Sequence, residues 1–171
     1  MATRLIIGAS IAAALLLGGP SFAQDRASQT FIKDAIEGNL AEVQMGQLAQ
    51  KNGQSDGVRS FGQMLEKDHT EAGQKASSVA TTLGVTPPSE PNSKQKADHD
   101  RMAKLNGEKF HAEFARHMIA DHKKDISEYE KAAKKNDAAA SYAQESLPVL
   151  RKHLETAQSL AGTPTQAKGK R

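Results

Sequence analysis

Apolar residues recur every three or four positions along four long segments of this 171-residue chain, which is the period of one face of an α-helix. In the third segment, for example, Phe110, Phe114 and Met118 follow one another at intervals of four residues. The pattern therefore predicts four long helices, and a polar stretch before the third predicts a shorter extra helix. The predicted elements cover, in chain order, residues 28–51, 55–83, 93–105, 108–135 and 138–160.

The residues between these segments are those that begin and end helices. Asn52 and Gly53 predict a left-handed cap at the end of the first helix. Ser55 is suited to cap the start of the second helix, because its hydroxyl can accept a hydrogen bond from a free backbone N–H. Residues 85–93 are rich in proline and serine and predict a non-helical connection. Pro148 lies inside the last helix and predicts a kink or one loosened turn there.

The order of these elements predicts the fold class. Each half of the chain is a long helix, a tight turn and a second long helix, and one long connection joins the halves. Two hairpins joined in this way are typical of the ferritin-like version of the four-helix bundle. We therefore expect an all-α domain over residues 28–161: a ferritin-like antiparallel four-helix bundle with one long crossover that carries a short extra helix.

The first residues have the three-part layout of a secretory signal peptide. A short start containing Arg4 precedes an apolar run over residues 5–17, and the small residues Ser21 and Ala23 precede the expected cleavage point. This run of 13 residues is shorter than the roughly 20 residues that cross a bilayer core. The sequence thus predicts a signal peptide over residues 1–23, its cleavage, and a periplasmic protein without an integral membrane segment.

Composition narrows the possible chemistry. The net charge is only +3, aromatic residues make up 4%, and the one basic cluster lies in residues 162–171, which we expect to form a disordered tail. These values argue against a nucleic-acid partner. The chain has no cysteine, so thiolate zinc sites and cysteine catalysis are excluded. We also find no glycine-rich phosphate loop and assign no catalytic residue, so that an enzymatic activity is the less favoured expectation.

Several ionisable residues fall on or beside the apolar faces of the predicted helices. They occupy the middle or second half of each long helix, so antiparallel packing places them in one layer. These candidate metal ligands are Glu42, Asp68, His69, Asp121, His122 and His153.

Such a layer has the composition of a metal site in a bundle core. Ionised groups inside a bundle are costly unless they are paired or bind a metal ion. Three histidines and one glutamate suit a single divalent ion: zinc is favoured, and iron or manganese is possible. Asp68 and Asp121 each precede a histidine, so they are predicted either to ligate the ion or to fix the tautomer of an imidazole.

Two alternatives remain open at this point. The same residues can form a buried hydrogen-bonded network without any metal. A di-iron site is less favoured, because its usual pattern needs a Glu-x-x-His on two helices. Glu66 and His69 fit this pattern once, whereas Ile119 and Leu150 stand where the later histidines would need a glutamate. The other histidines, His99, His111 and His117, are expected to face solvent.

Four stretches of the chain resemble a bacterial exported family of unknown function. They are FIKDAIEGNLAEVQMGQLAQKN, VRSFGQMLEKDH, FHAEFARHMIADHKKDISEYEKAA and YAQESLPVLRKHLETAQSL. Members of this family are often labelled "predicted outer membrane protein". The resemblance implies a ferritin-like bundle and makes the six candidate ligands its signature polar positions, but it implies no reaction. His111 departs from the family pattern, which usually has an aspartate there.

The sequence therefore supports three hypotheses of function. The first is a periplasmic bundle that binds one divalent ion as a stabilising, buffering or sensing site. The second is a metal-free interaction module of the cell envelope, connected with stress, whose protein partner is unknown. The third and least favoured is a di-iron enzyme resembling a peroxidase or catalase.

Overall fold

A computed structural model describes the backbone over residues 21–162 and the side chains over residues 26–162. It contains five helices and no strand within that range, so the all-α prediction is confirmed. In chain order the helices are α1 (Ser21–Asn52), α2 (Asp56–Thr82), α3 (Ser93–Ala103), α4 (Gly107–Ala132) and α5 (Ala138–Gly162). Most of the predicted signal peptide and nearly all of the predicted tail lie outside the described residues, so both stay predictions.

The first helix is longer than the sequence pattern predicts. It is already helical at Ser21, the first described residue, because no glycine or proline interrupts residues 21–28. The predicted cap of the second helix is confirmed, since the Ser55 hydroxyl accepts from the N–H of Val58 at 3.2 Å. Helix α5 runs without a break through Pro148.

The left-handed cap predicted at Gly53 is wrong. Of the described residues, only Gly84 and Gly107 have a positive φ. Gly53 donates its N–H to the carbonyl of Ala49 at 2.9 Å, and a Cβ at Gly53 would collide with that carbonyl and with Val58. A glycine is thus needed there because the chain turns tightly against its own helix, not because of its backbone angle.

Packing follows the order of the helices. Helix α1 lies along α2, α4 lies along α5, and α2 contacts α5, while the short α3 lies against α1 and α4. Two glycines allow α1 and α2 to pack closely. A Cβ at Gly46 would lie 2.6 Å from the carbonyl oxygen of Gly62, and a Cβ at Gly62 would lie 2.6 Å from the carbonyl oxygen of Gly46. No described helix has a stretch long and apolar enough to cross a membrane.

The apolar core divides into two clusters along the helices. One contains Ile32, Ala35, Ile36, Ala76, Ala80, Tyr129, Ala132, Tyr142, Ala143, Leu147 and Leu150. The other contains Met45, Leu48, Ala49, Val58, Phe61, Leu65, Met102, Phe110, Phe114, Met118 and Ala157.

Buried polar residues lie between these clusters on each of the four long helices. On α2, for instance, His69 stands between Leu65 of one cluster and Ala76 of the other. The polar residues placed this way are Asn39, Glu42, His69, His122 and His153. Along the helix axes, these buried polar residues therefore form a layer between the two apolar clusters.

Candidate metal centre

Three histidines from three helices meet inside this layer. His69 of α2, His122 of α4 and His153 of α5 are 5%, 1% and 0% exposed. Each offers a ring nitrogen that lies within 4.8 Å of those of the other two. Among the described residues this is the one group of three or more histidine or carboxylate residues whose ligand atoms lie this close together, and it contains no carboxylate. The arrangement brings together three of the six residues predicted from the sequence.

The hydrogen bond to His122 fixes which of its nitrogens carries the proton. Its Nδ1 lies 2.9 Å from the carbonyl oxygen of Met118, one turn earlier on α4. A carbonyl only accepts hydrogen bonds, so Nδ1 must be the donor. In the neutral ring Nε2 then keeps its lone pair, and this atom faces His153.

His153 is fixed in the same way by Asp68. The Nε2 atom of His153 lies 3.0 Å from Oδ2 of Asp68, and the carboxylate accepts this hydrogen bond. The lone pair of a neutral His153 therefore lies on Nδ1. That atom is 3.3 Å from Nε2 of His122, so two lone pairs face each other with no proton between them.

Asn39 of α1 orients the third imidazole. Its Nδ2 donates to the Ala35 carbonyl at 2.7 Å and to the Tyr142 hydroxyl at 2.9 Å, so its other amide atom is the oxygen. This Oδ1 lies 2.9 Å from Nδ1 of His69 and accepts a hydrogen bond from it. The remaining nitrogen of His69, Nε2, is buried and has no hydrogen-bond partner among the described residues.

The electrostatic surroundings keep these rings uncharged. Burial, followed by the proximity of His122 and His153, lowers the pKa of His69 well below its usual value. Burial and the neighbouring His153 lower the pKa of His122 to about 4. Burial also lowers the pKa of His153, although the hydrogen bond to Asp68 opposes this effect. All three are therefore neutral near pH 7, which is the state in which imidazole binds metal ions.

The spacing of the nitrogens is close to that of a zinc site. Nitrogens bound about 2.0–2.1 Å from a tetrahedral zinc ion lie about 3.3–3.4 Å from one another. The His122 and His153 nitrogens are already 3.3 Å apart, and the wider separations in the group, up to 4.8 Å, need small ring movements. Three imidazoles also leave a fourth position of such an ion free for another ligand.

The predicted carboxylates occupy three different settings. Asp68 is hydrogen-bonded to His153 but lies outside the group of three ring nitrogens. Glu42 is 2% exposed, and no residue within the described range forms a hydrogen bond with its Oε2. Its pKa lies well above the usual value, first because of burial and then because Asp121 and Asp125 are near. Asp121, next to His122 on α4, lines a cavity rather than the group of nitrogens.

Two cavities reach the layer from different sides, and His69 lines both. The smaller, about 110 Å³, also touches Asn39 and Tyr142. Its rim includes the exposed Lys75–Glu145 ion pair, whose atoms are 3.2 Å apart. The larger, about 570 Å³, is lined on the α4 side by acidic residues including Asp121 and by the lysines Lys124 and Lys131. The buried centre thus has two approaches for an ion or a small ligand.

The prediction that His111 faces solvent is wrong. It is 7% exposed, and its Nε2 lies 3.0 Å from the Leu160 carbonyl, because the last turns of α5 cover this face of α4. His117 is partly covered, and burial lowers its pKa.

The sequence analysis did not predict the roles of Asn39 and Tyr142. Asn39 could have been found by the same signal as Glu42, because it is a polar residue on the inner face of α1, one turn before Glu42.

Comparison with known proteins places the chain in a family. Residues 19–160 match the family described as "Domain of unknown function (DUF4142)", so the chain belongs to it. The expected membership of a family of unknown function is thereby confirmed. A solved structure titled "Crystal structure of DUF305 fragment from Deinococcus radiodurans" is similar with a TM-score of 0.70 and 17% identity. The match covers 84% of this chain and 99% of that one, and it shows a shared helical fold. Comparison with curated proteins gives no match.

Proposed function

We propose that this member of the DUF4142 family binds one divalent metal ion through His69, His122 and His153. One observation carries the proposal: each imidazole donates its N–H outward, to Met118, Asp68 or Asn39, and leaves its unprotonated nitrogen for the common centre. Outer hydrogen bonds of this kind are those that orient histidine ligands in metal sites.

A metal ion explains this arrangement better than a metal-free network does. Buried polar atoms normally have a hydrogen-bond partner, and leaving one without it costs about 1–3 kcal/mol. Nε2 of His69 has no hydrogen-bond partner in the part of the chain that the structure describes, and the facing nitrogens of His122 and His153 have no proton to share while both rings are neutral. A single cation at the centre would accept all three lone pairs.

The ligand chemistry favours zinc. Imidazole nitrogen suits zinc and iron, whereas manganese prefers oxygen ligands. We therefore propose zinc as the first choice and iron as the second. Asp68 acts as an orienting partner of His153 rather than a ligand, and the fourth position is left to water or a small ligand. The proposed role is storage, sensing or stabilisation, without an assigned reaction.

The cellular setting and the finer classification of the fold are also proposals. The signal-like pattern of residues 1–23 supports export to the periplasm. Two helical hairpins, with α3 in the crossover between them, support a ferritin-like four-helix bundle. Cell fractionation with N-terminal sequencing tests the first proposal: protein in the cytoplasmic fraction that still begins at Met1 would contradict it.

Calorimetric titration of chelator-treated protein with zinc tests the metal proposal. We expect one equivalent to bind, and the melting temperature to rise with the zinc concentration because only the folded state holds the site. The variants His69→Ala and His122→Ala should lose this binding. His99→Ala, which removes a histidine on α3 outside the centre, is the matched control and should keep it. Absence of zinc and iron binding, or equal binding by all four proteins, would overturn the proposal.

A further inference from the structure

A pair of buried tyrosines lies beside the metal centre. Tyr129 of α4 and Tyr142 of α5 are 7% and 3% exposed, and their hydroxyl oxygens are 3.4 Å apart. Asn39 joins this pair to the centre, because its Nδ2 donates to the Tyr142 hydroxyl at 2.9 Å and its Oδ1 accepts from Nδ1 of His69. All four side chains line the cavity of about 110 Å³. The tyrosine pair and one of the three imidazoles therefore share the wall of one small cavity.

The two phenol groups hold one hydrogen more than their contacts use. Each hydroxyl has a single hydrogen to donate. The bond between the tyrosines uses one of these hydrogens, and the bond from Asn39 uses neither, because there the amide is the donor. No side chain or carbonyl within residues 26–162 accepts the other hydrogen.

The surplus hydrogen is best assigned to Tyr129. A hydroxyl that accepts a hydrogen bond becomes a stronger donor, so Tyr142, which accepts from Asn39, donates to Tyr129. The O–H of Tyr129 is then left without an acceptor from the described part of the chain. A buried donor without a partner is costly, so this hydrogen favours an acceptor that enters from the cavity.

The charge at the metal centre also favours a particular ligand. Three neutral imidazoles compensate neither charge of a divalent ion, and Asp68 is the one carboxylate bonded to them among the described residues. Two other carboxylates line the small cavity, Glu71 and Glu145, and each already pairs with a lysine, at 3.8 Å and 3.2 Å. Asp121 lines the larger cavity instead. One further negative charge at the fourth position of the ion would balance the centre.

We propose that the small cavity binds a small monoanion, such as a short carboxylate, which takes the fourth position of the ion and accepts the free hydrogen of the tyrosine pair. This inference rests on the proposed metal binding. The anion replaces a water molecule on the ion, beside the ring of His69, and no electron is transferred. A cavity of about 110 Å³ exceeds the roughly 30 Å³ of one water molecule and leaves room for an anion of a few non-hydrogen atoms.

Calorimetric titration with formate tests the proposal. Formate should bind to the zinc-loaded protein with one equivalent, and the metal-free protein should not bind it. Formamide, which has the same size without the charge, should bind at least 10-fold more weakly. Tyr129→Phe removes the donor but keeps the ring, so its zinc-loaded form should bind formate about 10–100-fold more weakly while it holds zinc as the wild type does.

Ser146→Ala is the matched control. It also removes a hydroxyl from the wall of the small cavity, but this hydroxyl already donates to the Tyr142 carbonyl at 2.8 Å, so formate binding should not change. If Tyr129→Phe keeps its affinity because the Tyr142 hydroxyl turns to the anion, the double variant Tyr129→Phe/Tyr142→Phe decides.

The two proposals fail in different ways. Protein that binds no zinc overturns both of them. Protein that binds zinc keeps the metal proposal, and this inference alone is overturned by any of three results. They are absence of formate binding, equal binding of formate and formamide, and unchanged formate affinity in the double variant.

Discussion

Acid should destabilise the metal-free protein through His122, and the effect can be calculated. The pKa of His122 is about 4 in the folded protein, because burial and His153 disfavour its charged form. In the unfolded chain it returns to about 6.5. Between these values the unfolded state binds a proton that the folded state does not, so stability falls as the pH falls.

The size of the effect follows from the difference between the two pKa values. Because a tenfold change in proton affinity corresponds to about 1.4 kcal/mol, the difference between about 6.5 and about 4 amounts to about 3 kcal/mol. At about pH 5 His122 is almost fully protonated in the unfolded chain but still largely neutral in the folded protein. The free energy of unfolding is therefore lower by about 2 kcal/mol than at about pH 7.5. Asp125 acts in the opposite direction, because burial raises its pKa to about 7. Its protonation stabilises the folded state as the pH falls.

A variant isolates the histidine from these other groups. Urea unfolding with a chelator present gives the free energy of unfolding of the wild type and of His122→Gln at both pH values. The contribution of Asp125 is common to both proteins, so it largely cancels in their difference. We expect the wild-type advantage over His122→Gln to shrink by about 2 kcal/mol between about pH 7.5 and about pH 5. His99→Gln is the control for losing a histidine outside the metal centre. An advantage that stays constant, or grows in acid, would refute the claim that this imidazole is held neutral.

Two further substitutions test the surroundings of the metal centre and the packing of α1 on α2. Asp68→Ala removes the acceptor that fixes His153, so calorimetry should find zinc binding weaker by about 10–100-fold. Unchanged affinity would show that Asp68 does not orient the ligand. Gly46→Ala places a Cβ 2.6 Å from the Gly62 carbonyl and should lower the free energy of urea unfolding by about 1–3 kcal/mol. Gly38→Ala, where a Cβ meets nothing within 4 Å, should instead raise it by about 0.5–1 kcal/mol, and equal effects at the two glycines would contradict the packing argument.

Helices and their polar layer are predictable from this sequence because they depend on short-range rules. A helical face repeats every three or four residues, so the inward position of Glu42 or His122 follows from the apolar residues one turn away. The cap at Ser55 depends on a residue three positions later and is equally local. The extension of α1 upstream of Ser28 is harder to predict, since its sequence there has no apolar period to mark it but remains compatible with a helix.

The geometry of the metal centre depends on contacts between distant residues. Asp68 and His153 are 85 positions apart, and the contact between them decides which nitrogen of His153 carries the proton. Spacing along the chain does not contain this information. The covering of His111 by the last turns of α5 is likewise a tertiary contact, formed across 49 positions. Residue types and helix faces thus identify the histidines, whereas the directions of their lone pairs emerge only from the folded chain.

The central claim is that one ion sits where the three unprotonated nitrogens converge. Anomalous scattering at the zinc edge, from crystals grown with one equivalent of zinc, tests this most directly. We predict a single peak about 2.0–2.1 Å from Nε2 of His69, Nε2 of His122 and Nδ1 of His153. The Asp68 carboxylate should stay bonded to the far nitrogen of His153. A peak on surface residues alone, or no peak in protein whose three imidazoles keep their positions, would contradict the account.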